Sequence, residues 1–267
     1  QKNKGPAAAR NLGIKYAQGD IVALIDSDCI ASSGWIEEII KGYDSEKIAG
    51  IGGTIRAKPT SSRVSKYCAY IKMNEQPLIG KTGIEYLITG NASFRKSCLN
   101  RVGNFDERYN FAGGEDQDLC YRLRKAGYIF KYNRNAIVYN CHKETMRELF
   151  KTYINYGKGE SFLALRKLSN WDLISVSGAR WYFYLIKAIG KLTLMFMKNI
   201  ELILALSKIP FNALFYYGKG LNLKKSFLYA CFDYIKKFAF IQGCFFGYII
   251  GKFKGFKISD NYNICSQ

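Results

Sequence analysis

Hydrophobic residues in the first half of the chain fall into short runs that alternate with helical patterns. The run at 21–25 is continuous and is bounded by Gly19 and Asp20, as is typical of a strand buried on both faces of a sheet. Before it, residues 4–13 form a helical pattern with Pro6 near the start. A helix that leads at once into a buried strand is the second half of a βαβ unit. We therefore expect a Rossmann-like, mostly parallel α/β sheet that lacks its first strands.

The same alternation continues to about residue 141. It predicts a short amphipathic helix at 34–40, strands at 48–55, 86–94 and 129–139, and a helix at 111–127 with both ends marked by glycine. Residues 56–83 are mixed in composition and give no assignment. These elements make up one domain, which we place at residues 1–145.

The back half, residues 146–267, has no such alternation and is predicted to be a basic helical region. On a helix with 100° per residue, the charges between Arg180 and Lys208 fall in one 100° stripe on a largely apolar cylinder. The six charged residues are Arg180, Lys187, Lys191, Lys198, Glu201 and Lys208. Such a helix either lies in a membrane interface or forms the centre of a soluble bundle, and we favour the interface.

A second apolar stretch, 238–251, has 14 residues without a charge. As a helix it would span about 21 Å, because each residue rises 1.5 Å. A bilayer core is roughly 30 Å thick. Lysines at 236–237 and at 252 and 254 flank the stretch. We therefore expect a re-entrant or interfacial segment rather than a clean span.

The charge of the chain is strongly positive and unevenly distributed. The 267 residues include 40 Lys and Arg against 21 Asp and Glu, which gives a formal charge of +19. Residues 145–267 contain 18 of the basic residues and only 6 of the acids. An anionic partner, either phospholipid or nucleic acid, is therefore expected for the back half. The eight cysteines form no CxxC pair and the chain has one histidine, which argues against a zinc site.

Two groups of acids carry the candidate chemistry. Asp26 and Asp28 follow the strand at 21–25, at the edge where open α/β sheets bind ligands. Two carboxylates there suit a hard divalent cation, although Asp and Ser also simply favour a turn. Three further acids, Glu115, Asp116 and Asp118, open a predicted helix. Like charges this close raise at least one pKa, which suits a general base.

Five motifs occur in a fixed order along the first half. They are ARNxG at 9–13, DSD at 26–28, TGNASFR at 89–95, VGNFDE at 102–107 and GEDQDL at 114–119. Together they resemble the inverting family-2 glycosyltransferases of the GT-A fold, over residues 4–143. In that family a strand and a loop precede the first of these motifs, so we expect an N-terminally truncated domain.

The resemblance implies a role for each matching position. Asp116 matches the acid that deprotonates the acceptor hydroxyl, and Glu115 matches the neighbour that orients it. Asp28 matches the direct ligand of a Mg²⁺ or Mn²⁺ cofactor, with Asp26 and His142 as further metal or diphosphate contacts. The implied nucleotide-sugar-binding residues are Arg10, Asp26, Asp28, Gly90 and Asn91.

The expected function is therefore transfer of a sugar, with inversion, from a nucleotide sugar to the hydroxyl of a glycan or lipid-linked acceptor. The expected location is the cytoplasmic face of a membrane. The alternatives are an inactive glycosyltransferase fragment and a non-enzymatic basic module that binds membranes or nucleic acid. Nucleic acid is disfavoured because the aromatic residues concentrate in long apolar helices rather than on alternating strands. The identity of the sugar, the nucleotide, the acceptor and the oligomeric state are not encoded in these patterns.

Overall fold

The computed structural model describes residues 1–79, 83–168 and 208–253. The chain divides into two compact units, Gln1–Leu149 and Phe150–Asn261. The boundary expected from the sequence, after residue 145, lies four residues before this division. The predicted charged stripe at 180–208 falls, apart from Lys208, outside the described residues.

The first unit is an α/β domain built on a five-stranded sheet. The strands lie in the order β1-β6-β3-β7-β2, and β4 and β5 pair separately. The elements are α1 (Pro6–Tyr16), β1 (Ile21–Ile25), β2 (Cys29–Ala31), α2 (Trp35–Ile39), β3 (Ile48–Ala57), α3 (Arg63–Tyr70), β4 (Leu78–Ile79), β5 (Gly83–Ile84), β6 (Asn91–Arg95), α4 (Lys96–Arg101), α5 (Glu115–Lys125) and β7 (Ile129–Asn140).

Most elements predicted from the hydrophobic pattern are present. The helix at the start, the strand at 21–25 and the helix before residue 127 are confirmed as α1, β1 and α5. The strand predicted at 86–94 begins only at Asn91. Helix α3, which the sequence analysis missed, has a recognisable start, because the side chain of Ser62 caps it by accepting from the backbone N–H of Ser65.

The expectation of a mostly parallel sheet is wrong. Only β3 and β7 pair in parallel, whereas β1–β6, β3–β6 and β2–β7 are antiparallel. The connection from β3 to β6 contains α3 and the β4–β5 pair, and β6 enters the sheet antiparallel to β3. Of the five residues of β1, only Val22 is buried, so burial of this strand on both faces is also wrong.

Strands β3 and β6 approach each other closely at Gly50. A Cβ atom on Gly50 would lie 2.6 Å from the Leu87 side chain and 2.7 Å from the Ser93 carbonyl oxygen. Glycine is therefore needed for β3 to lie against β6. On the same sheet, Trp35 and Ile39 of α2 pack with Val138 of β7 in a buried cluster. Full burial of each large side chain stabilises the fold by about 1.5–3 kcal/mol.

The second unit consists, in its described part, of helices. They are α6 (Met146–Leu168, which begins at the end of the first unit), α7 (Ile209–Gly218) and α8 (Leu223–Phe253). Helices α7 and α8 pack as a hairpin, in which the rings of Tyr216 and Tyr229 meet edge to face at 5.8 Å.

Helix α8 packs against α6 through glycines spaced four residues apart, which places them on one helix face. A Cβ on Gly243 would lie 2.0 Å from the carbonyl oxygen of Ile154, and one on Gly247 would lie 2.5 Å from the Cα of Lys158. Gly251 meets the side chains of Leu165 and Phe162. The two backbones can approach this closely only because these positions have no side chain.

The predicted interfacial segment 238–251 lies inside α8, and part of it forms this helix contact. Within the ranges that the structure describes, no helix combines the length and the apolar character needed to cross a membrane. An interfacial role for the segment stays a prediction.

Candidate active site

The Asp26-Ser27-Asp28 segment leaves β1 as a tight turn at the edge of the sheet. The backbone N–H of Cys29 donates to the carbonyl oxygen of Asp26 at 2.9 Å, and β2 begins at once. The turn-forming and the ligand-binding interpretations of this segment are therefore compatible. Because Ile25 pairs with Asn91, Gly90 lies beside Asp26, and a Cβ on Gly90 would be 2.9 Å from Oδ2 of Asp26.

The start of α5 presents two carboxylates on a backbone shaped by glycine. Gly114 has φ +90° and precedes the helix, in the left-handed region that glycine favours. Oε2 of Glu115 accepts from the backbone N–H of Gly113 at 2.7 Å. Oδ1 of Asp116 accepts from the backbone N–H of Gln117 at 2.8 Å. Both side chains therefore have fixed positions in the first turn, where negative charge is favourable.

Arg10 of α1 connects this helix start with the DSD turn. Its Nη1 donates to Oε1 of Glu115 at 2.7 Å, and its Nη2 donates to Oδ1 of Asp26 at 3.1 Å. The guanidinium also lies over the ring of Phe105, 5.5 Å from the centroid. Burial disfavours the cation, but the charges of Glu115 and Asp26 outweigh this effect and raise the pKa of Arg10. Two motifs that are distant in sequence are thus joined at one place.

The surroundings of Asp116 shift its pKa into the range that suits a general base. Its burial, reinforced by the negative charge of Glu115, raises its pKa to about 7, although Arg10 opposes the shift. A carboxyl with this pKa is about half ionised at neutral pH. It can therefore accept a proton there and still bind it strongly enough to drive the transfer.

The third acid of the helix, Asp118, has a structural role. It is fully buried, and its Oδ2 accepts from Nε of Arg122 at 2.9 Å. Arg122 also donates to the carbonyl oxygens of Val102 and Asn104. This ion pair ties α5 to the VGNFDE loop, so the cluster predicted from the sequence consists of two site carboxylates and one that supports them.

Asp28 is held from the end of β7. Its Oδ1 accepts from Nδ2 of Asn140 at 3.1 Å, and its Oδ2 accepts from Nζ of Lys143 at 3.2 Å. His142 lies between these two in sequence and is buried, which lowers its pKa although the charge of Asp28 opposes the shift. The imidazole is therefore neutral at pH 7, the form that can bind a metal ion.

These residues fit a divalent cation that is shared with a substrate diphosphate. The carboxylate of Asp28 is partly exposed and Lys143 already places one positive charge on it, whereas Asp26 is paired with Arg10. Across the described part of the chain, no group of three or more His, Cys, Asp or Glu side chains is placed to hold a metal. Mg²⁺ is often bound by one or two carboxylates, with substrate phosphates and water completing its shell.

Asn91 was predicted to bind the nucleotide sugar, and its contacts conflict with that role. The side chain is fully buried, its Oδ1 accepts from Nε1 of Trp35, and its Nδ2 donates to the carbonyl oxygens of Thr54 and Ala136. The amide is thus occupied inside the sheet, where it fixes the backbone next to Gly90.

Lys143 and Asn140 were missed by the sequence analysis. Both flank His142 at the end of β7, and the argument that identified the end of β1 would have found them.

Comparisons with known proteins find similarity to glycosyltransferases. Residues 1–103 match the model of glycosyl transferase family 2, and residues 72–144 match the model of the N-terminal domain of galactosyltransferase. The chain is 29% identical, over 70% of its length, to a pre-mycofactocin glycosyltransferase of Mycobacterium tuberculosis. It is also 29% identical, over 62% of its length, to a poly-beta-1,6-N-acetyl-D-glucosamine synthase of Staphylococcus aureus. The chain spans about two fifths of the length of these curated relatives, 41% in both matches.

A solved structure, a mannosyltransferase of Pyrobaculum calidifontis in complex with GDP-Man and Mn²⁺, is similar over 85% of this chain and 65% of its own, at 16% identity. The TM-score of this match is 0.43. Residues 1–144 of the chain are therefore similar to glycosyltransferases, with residues 1–103 matching glycosyl transferase family 2. These residues form the α/β unit that contains the candidate active site.

Proposed function

We propose that this protein transfers a sugar from a nucleotide-sugar donor to an acceptor hydroxyl, with inversion at the anomeric carbon. The observation that carries the proposal is the bridge of Arg10 to Asp26 and Glu115. It brings the DSD turn beside a carboxyl, Asp116, whose pKa is raised to about 7. A group for the leaving diphosphate and a group for the acceptor proton are thus available at one site.

The donor diphosphate would bind at the edge formed by Asp28, His142 and Lys143. Asp28 and His142 are the residues that would hold Mg²⁺ or Mn²⁺ there, with Asp26 beside them. Such an ion neutralises the negative charge that grows on the departing diphosphate. Lys143, which pairs with Asp28 at 3.2 Å, would then be released to contact a phosphate oxygen.

Asp116 would accept the proton of the acceptor hydroxyl. The acceptor oxygen forms its bond to the anomeric carbon while the bond from that carbon to the diphosphate oxygen breaks on the opposite side. One displacement of this kind inverts the configuration and needs no nucleophile from the protein. General-base assistance contributes typically about 10²–10⁴ to the rate. Glu115, which Arg10 and the Gly113 N–H hold in place, would keep Asp116 oriented.

We further propose that the acceptor is a glycan or a lipid-linked sugar and that the reaction takes place at the cytoplasmic face of a membrane. The printed name of the Staphylococcus aureus relative, a synthase of a polysaccharide, supports the first part. The excess of basic residues in 145–267 supports the second, since anionic lipids attract such segments.

Donor binding and turnover test the proposal directly. The full chain should be titrated calorimetrically with a panel of nucleotide sugars in Mg²⁺ or Mn²⁺, and release of the nucleoside diphosphate should be followed with candidate acceptors. We expect D28N to lose transfer and to weaken donor binding, whereas D44N, at an exposed acid paired with Lys131, keeps both. If D28N turns over like the wild type, the cation site is wrong. If no nucleotide sugar binds, the chain is an inactive fragment or a binding module.

A further inference from the structure

Helix α7 exposes an apolar face to solvent. Phe211, Leu214 and Phe215 are each 60–71% exposed. At 100° per residue these three fall within a 100° sector, and the buried residues of the helix, Ala213 and Tyr216, lie on the other side. The helix is thus apolar on both faces, and only one of them packs against the protein.

The first turns of α8 continue this exposure. Leu223 and Phe227 are four residues apart on one side of the helix and are 65% and 55% exposed. Single exposed hydrophobic residues are common, but the described part of the α7–α8 hairpin exposes nine large ones. We call five of them, Phe211, Leu214, Phe215, Leu223 and Phe227, the hairpin face.

Positive charge surrounds the hairpin face. From residue 208 to residue 232 the sequence contains four lysines and no acid, and all four lysines are exposed. They are Lys208, Lys219, Lys224 and Lys225. The ammonium of Lys219 lies over the ring of Phe215, 5.6 Å from its centroid.

A cavity of about 350 Å³ lined by residues of α6, α7 and α8 contains further lysines. Three lysines and the amide of Asn212 are among its lining residues, together with Asp233, which Lys236 pairs at 2.9 Å. The lysines are Lys208, Lys236 and Lys237. Lysines are therefore present both on the surface of the hairpin and in this cavity.

We propose that the hairpin face is the surface with which this protein inserts into the interface of an anionic phospholipid bilayer. Aromatic and aliphatic side chains enter the boundary between headgroups and acyl chains, and lysines beside them pair with headgroup phosphates. A second copy of the chain fits less well, because an isologous contact would bring the same lysines together. The proposal names the surface through which the protein would reach the proposed membrane location. It does not depend on the proposed sugar transfer.

The first experiment measures vesicle binding by the full chain. We expect the wild type to sediment with phosphatidylglycerol–phosphatidylcholine vesicles, and the triple variant F211S/L214S/F215S to bind at least tenfold more weakly. Its unfolding temperature should be unchanged or higher, because the replaced side chains are exposed. The matched control is Y16S/I36S, which removes two side chains of the first unit that are also more than half exposed and should bind as the wild type does.

The second experiment reports on insertion through a single substitution. Beyond the signal of the three native tryptophans in the wild type, F215W should show additional blue-shifted emission with anionic vesicles and additional quenching by brominated acyl chains, whereas Y16W should add neither. Replacing Lys219, Lys224 and Lys225 with Gln should weaken binding at low salt, more for anionic than for neutral vesicles.

Three results would overturn the proposal. They are a wild type that ignores vesicles, a triple variant that binds like the wild type, and a triple variant whose unfolding temperature falls sharply because the face is covered by protein. If the wild type is a dimer in the absence of lipid and the triple variant is a monomer, the hairpin face is instead a contact between two copies of the chain. Quenching of F215W in a protein without transferase activity would support the surface and contradict the proposed function alone.

Discussion

The two units of this protein differ in the kind of residue that occupies their most constrained positions. In the first unit, polar side chains determine the arrangement, as in the bridge from Arg10 to Asp26 and Glu115. In the second unit, the decisive positions are Gly243 and Gly247, where the absence of a side chain allows two helices to touch. The partly exposed Asp28 carboxylate of the first unit can therefore be altered chemically without unfolding, whereas the contact between α6 and α8 is sensitive to volume.

This difference also separates the kinds of function that each unit can carry. Carboxylates with fixed partners and shifted pKa values suit proton and phosphate chemistry. An exposed apolar face with lysines beside it suits binding to a membrane surface rather than catalysis. Four predictions test the comparison, and they are ordered by the size of the effect that we expect.

The largest effect is expected for D116N. The variant keeps the shape of the side chain but cannot take the acceptor proton at neutral pH, so turnover should fall by about 10²–10⁴. The affinity for the donor, measured by calorimetry, should stay close to that of the wild type. An equal loss of donor affinity would move Asp116 from the role of base to the diphosphate site.

In the second unit, G243A should lower the free energy of unfolding by about 3 kcal/mol or more, because overpacking here involves backbone atoms. The new Cβ would lie 2.0 Å from the carbonyl oxygen of Ile154. The matched control is G218A in α7, where a Cβ would meet nothing within 4 Å and alanine favours the helix. Denaturation followed by circular dichroism should separate the two. Equal stability of both variants would mean that α6 and α8 do not pack as described.

Asn91 provides the corresponding test inside the first unit. N91A removes three hydrogen bonds and leaves the indole N–H of Trp35 and two carbonyl oxygens unpaired, which should cost about 2–3 kcal/mol of stability. N135A, at an exposed position, should cost little. Donor affinity of the folded N91A protein should be nearly normal. A stable variant with a large loss of donor affinity would restore Asn91 to a direct binding role.

The smallest effect concerns pH. Because the folded pKa of Asp116 is about 7 and its ordinary value is 3.8, the unfolded chain releases this proton first. The contribution of Asp116 to the free energy of unfolding therefore falls as pH rises from about 4 to 7. At pH 8, D116N should be more stable than the wild type by about 1–3 kcal/mol, and at pH 4 the two should be nearly equal. Thermal unfolding of both proteins at pH 4, 6 and 8 measures the difference, and a gap that is constant with pH would exclude this cause.

Much of the first unit could be predicted because its sequence pattern has a clear period. The apolar run of β1 and the glycine before α5 marked the two elements whose ends carry Asp26, Asp28 and Asp116. The direction of β6 could not be predicted in the same way, because the residue types of a strand do not show whether it pairs parallel or antiparallel. The roles of Asn91 and Asp118 also could not be predicted, because only their partners distinguish a site residue from a supporting one.

The second unit was harder to predict because hydrophobic residues occur all around its helices. The run 238–251 was predicted to be a re-entrant or interfacial segment because it is free of charge and flanked by lysines, and its contact with α6 through glycines was not predicted. Exposure of Phe211 and Phe215 follows from which face of α7 packs on α8, and no local pattern encodes that choice.

The glycine contact between α6 and α8 also has a mechanical consequence. On α8, Gly243, Gly247 and Gly251 leave room for α6 and recur every fourth residue, and Gly157 of α6 leaves room for α8 in return. If α8 slides along α6 by one, two or three residues, a side chain meets the facing backbone. A slide of four residues, about 6 Å along the axis, would bring the next glycine into the same place. The two helices are therefore expected to pack in discrete registers that differ by four residues. A movement from one register to the next would occur as a jump rather than as a gradual shift.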